Sequence, residues 1–518
     1  MSSLSDAAPE RRLPDSADVV IVGSGPAGAA YARILSETSP AARIVMIEVG
    51  PIVSDPPGSH VKNIADNAER ARAQRASEGP RPQDDAASTN TMDGYASDAA
   101  RLWRPGTYLL ASGYRQPGED GLPAAAFSSN VGGMAAHWTG ACPRPGQSER
   151  IDFLADLDEL LDEGERLLGV SATALAGAPL ADEVQARLAR GFDADRPSDR
   201  HVQPMPLAVH RTAEGNLVWS GADVVFGEET RANPLFTLVP EALGRRVIVE
   251  DGVVRGIDVE DRRSGEIHRL SSPVVVVAAD SLRTPQLLFA SGVTPPALGR
   301  YLNDQPQIVH AVRLRDVEDA PTGSAANSAI TAQSGVSWVP FTDDYPYHGQ
   351  VMQLDASPVP LEGDVIPGSI VGLGWFCAKD LQESDRVEFS PDDVDEYGMP
   401  AMRIHYTLTE RDHRTLADAA EAIIAAGELL GDPVGGDPIT FPPGASLHYQ
   451  GTVRMGAVDD GTSVCDPHGE VWGTRGLFVA GNGVIPTATA CNPTLTGVAL
   501  AVAGARRVAR TLDALTSK

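Results

Sequence analysis

Apolar positions along the 518 residues fall in short runs separated by glycine turns and Ala-rich helical stretches. "DVVIVGSGPAGAAYARILSE" predicts a strand over 18–22, a turn, and a helix from about Pro26, and "RIVMIEVG" predicts a second strand ending at Glu48. Far downstream, "RRVIVEDGVVRGIDVEDRRSGEIHRLSSPVVVVAAD" alternates β-rich runs with Asp-Gly and Ser-Gly turns, a meander that returns to a parallel sheet over 274–278. "SLRTPQLLFASGV" then begins a helix. The last segment, "GLFVAGNGVIPTATACNPTLTGVALAVAGARRVAR", offers a strand, a glycine turn and a long Ala-rich helix. The expected fold class is α/β: a Rossmann-like nucleotide domain assembled from 15–150, 241–299 and 441–518, with an α+β second domain on a β-sheet from 151–240 and 300–440. A chain of this length has core enough for two domains, since single cores stop growing at roughly 250–300 residues. The run from Arg81 to Asp98 is polar and aperiodic. It reads as a mobile loop, either an active-site lid or a disordered insertion.

Glycines at Gly23, Gly25 and Gly28 make G-x-G-x-x-G between the first strand and helix. The first permits the tight turn, the second lets the backbone approach a pyrophosphate, and the third lets helix pack on strand. The anion then rests on the helix N-terminus. Glu48, twenty residues after Gly28, can accept both ribose hydroxyls, and Gly50 beyond it is more typical of FAD than of NAD proteins.

Composition narrows the partners. A formal net charge of -28 argues against nucleic acid or an anionic membrane, because a field of that sign repels phosphate. Cys142, Cys377, Cys465 and Cys491 have no metal-ligand spacing and no C-x-x-C pair, so neither a metal site nor a disulfide framework is expected. The N-terminus lacks an apolar signal region and no run of about 18 apolar residues occurs, which suggests a cytoplasmic protein. The oligomeric state is left open.

The fingerprint, "SLRTPQLLFASGV", "LGRYLNDQP", "HYQGTVRMG" and "GNGVIPTATACNPTLTGVALA" together resemble the glucose-methanol-choline (GMC) flavin oxidoreductases over most of the chain. Within that family, "VGGMAAHWTGACPR", "GSHVKNIADN", "YPYHGQVMQLDA" and "DEYGMP" look like pyranose 2-oxidases and the related glycoside 3-oxidases. Departures are Asp280 and Thr294, where small residues are usual, and Val453, where some pyranose oxidases carry a second histidine. The resemblance implies an FAD enzyme in which Gly132 and Gly133 let the backbone approach the isoalloxazine, Thr139 faces flavin N5, and Trp138, Asn482, Pro493 and Thr494 also line the cofactor. For His137 it leaves two readings, a covalent bond to the flavin methyl group or simple packing beside the ring.

Oxidising a secondary alcohol requires removal of the hydroxyl proton and hydride transfer from the same carbon to flavin N5, so the protein must supply a base and orientation. Imidazole suits the base, with an ordinary pKa near 6.5. Of eleven histidines, the resemblance selects His448 in "SLHYQGTVRMG" as base and Asn492 in "CNPTLT" as its partner. It also places Gln350, Gln353 and Asp355 where sugar-binding side chains lie, with alternation along a strand aiming Gln353 and Asp355 at one face. The implied reaction is oxidation of a ring hydroxyl at C2 or C3 of a sugar or glycoside, with oxygen or a quinone as acceptor. Alternatives are a hydroxynitrile-type lyase on the same fold, a GMC alcohol dehydrogenase for a non-sugar alcohol, or a catalytically silent flavoprotein.

Overall fold

The structure, a computed structural model, describes residues 13–80, 104–111, 113–317, 335–354, 366 and 368–516. The expected loop over 81–98 and the expected site residue Asp355 lie outside the described residues.

Five parallel strands form the first sheet, in the order Leu477–Val479, Val275–Val277, Val19–Val22, Ile44–Glu48 and Phe236–Pro240. Every residue of the first four is buried, as happens when helices cover both faces of a parallel sheet. The helices Pro26–Thr38 and Thr494–Thr516 pack against each other on this sheet, where Gly504 leaves room for the buried Tyr31 ring. The expected meander is present as Ala242–Glu250, Val253–Asp261 and Ile267–Ser271, leading into the strand Val275–Val277.

Asp280, one of the departures, opens the helix Asp280–Ala290 at φ 67°, where its Oδ1 accepts from the backbone N–H groups of Leu282 and Arg283 at 2.7 and 2.9 Å. Those bonds satisfy orphan donors of the first turn and offset the left-handed backbone. A small residue would leave these two N–H groups without that acceptor.

The second sheet is antiparallel, with Gly431–Pro433, Gln307–Leu314, Ile370–Cys377, Tyr347–Leu354, Gly335–Val339 and Gln203–Pro204 in that order. One face, including Ile308, Val351, Leu373 and Trp375, packs on the helices Ala181–Phe192 and Glu410–Leu430. Pleating sends His348, Gln350 and Phe376 to the other face, toward the first domain.

Residues 151–240 do not lie wholly in this second domain. Phe236–Pro240 extends the parallel sheet beside Ile44–Glu48, and the helices Leu157–Leu168 and Ala222–Arg231 pack on Thr494–Thr516 and Pro26–Thr38. Among the described residues no helix is long and apolar enough to cross a membrane.

Candidate active site

A single cavity runs from the turn after Val22, past Glu48 and the segment Gly133–Thr139, to His448 and Asn492. Gly23 makes the turn at φ 99°, with its α-carbon so close to the Ala278 carbonyl that no Cβ fits. Gly28 packs as tightly on the Gly23 carbonyl. Gly25 differs, since a Cβ there would meet nothing within 4 Å, and it caps the N-terminus of Pro26–Thr38. The N-terminus of that helix therefore faces the cavity, where its unpaired N–H groups favour negative charge.

Glu48 is buried on the cavity wall. Its Oε2 accepts from Ser24 N and Oγ at 3.0 and 2.7 Å, and its Oε1 accepts from Gly50 N at 3.1 Å. Burial pushes its carboxyl up while these donors pull it down. Much of its accepting capacity is thus engaged inside the protein. Ser24 Oγ in turn accepts from Gly132 N at 3.0 Å, which ties the fingerprint turn to the H-W-T segment. The glycine pair serves this crossing: Gly132 has φ 100°, and a Cβ on Gly133 would come within 3.3 Å of Gly25 Cα. Of the two, Gly133 lines the cavity.

His137, Trp138 and Thr139 line the cavity beside it, as do Asn482 and Thr494, and Pro493 is buried next to them. Trp138 is held at both ends, its Nε1 donating to Ser220 O at 2.9 Å and its carbonyl meeting His60 Nε2 at 2.8 Å. By contrast, both ring nitrogens of His137 are buried with no hydrogen-bond partner among the described residues, and burial lowers its pKa to about 4. Gly106 packs directly on that ring.

At the far end His448 Nε2 lies 3.3 Å from Asn492 Nδ2, and His448 Nδ1 lies 2.7 Å from Gln305 Oε1. The helix Thr494–Thr516 begins just after Asn492, so the Asn-Pro step aims this side chain. Leu447, at φ 61°, turns the chain that presents His448, and Ser446 Oγ accepts the His448 backbone N–H at 3.1 Å while donating to the buried Asp304. Burial, the neighbouring His348 and Arg104 together lower the His448 pKa to about 3. The imidazole is therefore neutral across the working range, with Asn492 Oδ1 lacking a partner among the described residues.

The sequence reading missed Gln305, Asp304, Arg104, Glu149 and His60. Glu149, buried, accepts from Gly146, Ala490 and Cys491 N–H groups at 2.9, 2.8 and 2.9 Å and so pins the segment before Asn492. The signals available were "LNDQP", which holds Asp304 and Gln305, and "GSHVKNIADN", which holds His60, both quoted for resemblance without a role for those residues.

The expected sugar-side residues separate. Gln350 is on the sheet face that carries His348, its Nε2 resting 3.5 Å from Met352 Sδ. Gln353 is on the opposite face, where its amide donates to Pro179 O and Gly368 O at 2.9 and 3.1 Å. Neither lines the cavity. Odd and even positions face opposite ways, so Gln350 and Gln353 were never going to share a face. Among the described residues no three His, Cys, Asp or Glu side chains gather as metal ligands.

Residues 154–307 and 383–501 match models of the N- and C-terminal regions of GMC oxidoreductase. The chain is 63% identical to a C-glycoside 3-oxidase of Microbacterium trichothecenolyticum over 97% of this chain and 98% of that protein. It is 31% identical to a pyranose 2-oxidase of Tricholoma matsutake over 95% and 93% of the two. Among solved structures, pyridoxine 4-oxidase from Mesorbium loti superposes with a TM-score of 0.65 at 20% identity, covering 95% of this chain and 98% of that one.

Proposed function

The chain belongs to the GMC oxidoreductase family, and from that premise we propose that it oxidises the C3 hydroxyl of a C-glycoside, using FAD. The observation that carries this reading is the His448–Asn492 pair at the end of a cavity that begins at a dinucleotide fingerprint, in a chain so close to a C-glycoside 3-oxidase.

The residues fit the cofactor. The open helix N-terminus at Gly25 would hold a pyrophosphate, Glu48 would accept from a ribose, and Gly133 to Thr139 with Asn482 would line the ring system. Bound FAD supplies the hydride acceptor. His448 accepts the hydroxyl proton at Nε2, and Asn492 donates from Nδ2 to the hydroxyl oxygen, which holds the hydroxyl against the imidazole. Oxygen is the terminal acceptor favoured by the relatives' being oxidases, with a quinone as alternative. A cytoplasmic location, with no nucleic-acid or membrane partner, accords with the net charge of -28.

Anaerobic addition of a C-glycoside is expected to bleach the visible flavin band, and NMR of the aerobic product to place the new carbonyl at C3. Bleaching by free sugars alone, or a carbonyl at C2, would move the assignment to a pyranose 2-oxidase type. Failure to bleach with any sugar, glycoside or simple alcohol would leave the lyase and silent readings.

For His137 the reading is covalent attachment. Two buried ring nitrogens with no partner among the described residues cost desolvation energy that a bond to the flavin methyl carbon would relieve at one of them; that carbon would give up a C–H proton, its two electrons would pass through the flavin to oxygen, and the lowered pKa keeps a lone pair free. Acid-precipitated protein should stay yellow, and His137→Ala protein should give a colourless pellet. A colourless wild-type pellet shows noncovalent binding.

A further inference from the structure

We infer that Gln305 is a positioning residue that fixes where the His448 imidazole carries its proton. The argument starts from the buried Gln305 amide, whose Nε2 lies 2.8 Å from Cys491 O and 3.1 Å from Thr489 Oγ1. A backbone carbonyl only accepts, so the group facing Cys491 O is the NH2 and the amide cannot be turned end for end. Its Oε1 is then the atom 2.7 Å from His448 Nδ1. An amide oxygen only accepts, so Nδ1 is the donor. In a neutral imidazole that leaves Nε2 with the lone pair, and Nε2 is the nitrogen beside Asn492.

The consequence for the reaction is direct. An imidazole with its proton on Nε2 cannot accept a second one there from a hydroxyl, whereas this one can. When the hydroxyl proton moves to Nε2 and the hydride leaves the same carbon for the flavin, the alcohol becomes a ketone and His448 an imidazolium. Gln305 Oε1 then faces the Nδ1–H of that cation and stabilises it. The same amide also grips the segment carrying Asn492, which Glu149 pins from its other side through Ala490 and Cys491 N–H. One residue thus sets both the tautomer of the base and its register with its partner.

The charged and titratable groups around this imidazole are His348 across the Phe376 ring, Arg104, Asp304 beneath Ser446, and the neighbouring Tyr449. None of them makes a side-chain hydrogen bond to Gln305 among the described residues, and Gln305→Leu adds no charge beside them, so a pH profile that shifts only in Gln305→Glu reports the charge placed on Nδ1. The inference rests on His448 being the base in the proposed reaction. Bleaching of the wild-type flavin by the glycoside tests that reaction separately.

The experiment is stopped-flow anaerobic flavin reduction of the holoenzyme from pH 5 to 9, with wild type, Gln305→Leu and Gln305→Glu. A histidine held in the wrong tautomer costs about 10⁴ in kcat in a hydrolase triad. Here Gln305→Leu removes the bias without imposing the wrong form, so the limiting reduction rate should fall roughly 10- to 1000-fold, with substrate affinity within about threefold of wild type. Gln305→Glu gives up the donor to Cys491 O but retains an acceptor for Nδ1 and a partner for the Thr489 hydroxyl, and should recover about tenfold of that loss at high pH. Its carboxylate also favours the imidazolium, so the rate should fall as pH drops through a raised His448 pKa, giving an acid limb between pH 5 and 8 that wild type lacks. Equal losses in both variants with unchanged pH profiles, or a loss confined to substrate affinity, would overturn the inference. Should Gln305→Leu fail to hold flavin, Gln305→Glu decides alone: a profile superimposable on wild type overturns it.

Discussion

His448→Ala should slow anaerobic flavin reduction by about 10²- to 10⁴-fold, the range for loss of a general base, while the flavin stays bound. The His448 side chain touches the cavity only at its far end, and the fingerprint turn, Glu48 and the H-W-T wall do not depend on it. Raising pH should partly restore the variant, because hydroxide or a pre-ionised hydroxyl replaces the missing base. Wild type should show no acid limb near 6.5, since burial has already moved the His448 pKa to about 3 and the base is neutral throughout pH 5 to 9. Asn492→Ala should also slow reduction yet leave the wild-type pH profile, as it removes a donor to the hydroxyl and not the imidazole. Near-wild-type reduction by His448→Ala across that range would refute the assignment. The structure narrows the alternatives in that case, because His310 points at Gly427 of the covering helix and His348 is sealed beneath Trp338 and Phe376.

Acidification from pH 7 to 5 should weaken folding through two other histidines, His60 and His348, which are 1% and 0% exposed. Burial lowers both to a pKa of about 3. His348 Nδ1 accepts from Trp338 Nε1 at 3.0 Å, and His60 Nδ1 accepts from Lys62 N at 2.9 Å, so protonating either nitrogen breaks a bond as well as burying a charge. Because the folded pKa lies below the ordinary 6.5, the unfolded chain binds these protons first. Their contribution is complete above about pH 6.5 and is lost as pH falls toward 3. At pH 5 each costs about 2 kcal/mol. Buried carboxyls such as Glu149 and Asp304, pushed up by burial, act in the opposite sense, since the folded state holds their protons more firmly. The clean measurement is therefore differential: urea midpoints at pH 7 and 5 for wild type and His348→Asn. The variant should lose about 2 kcal/mol less between the two pH values, and identical losses would show that His348 is not a source of acid sensitivity.

What the sequence disclosed is what is local. A glycine turn, the helix after it and the acid ending the next strand are written within thirty residues, so Gly23 could be placed at the turn, Gly25 and Gly28 at the start of the helix and Glu48 at the strand end. His448 and Asn492 are 44 positions apart and came from resemblance, not from spacing. Long-range pairings stayed hidden. Gln305 meets His448 across 143 positions and Glu149 meets Ala490 across 341, and no pattern in a single chain marks a Gln or Glu for such a contact. The strand Phe236–Pro240 was likewise unreadable as part of the first sheet, because five residues of "FTLVP" carry no sign that their partner is Ile44–Glu48. Gln353 shows the limit of parity arguments: alternation says which residues share a face, but not which face looks at the cavity.

The order of strands in the parallel sheet has a consequence for how the chain is made. Val275–Val277 sits between Val19–Val22 and Leu477–Val479, so its outer edge acquires a neighbour only after about 200 further residues have been synthesised. At roughly 5–20 residues per second that is about 10 to 40 s during which a three-valine edge stands bare on the ribosome. Such an edge is a template for pairing with another nascent chain. The helix Thr494–Thr516, which covers the sheet, arrives later still. A translation product stopped before Leu477 therefore keeps the whole fingerprint yet lacks the strand that pairs with Val275–Val277 and the helix that covers the sheet.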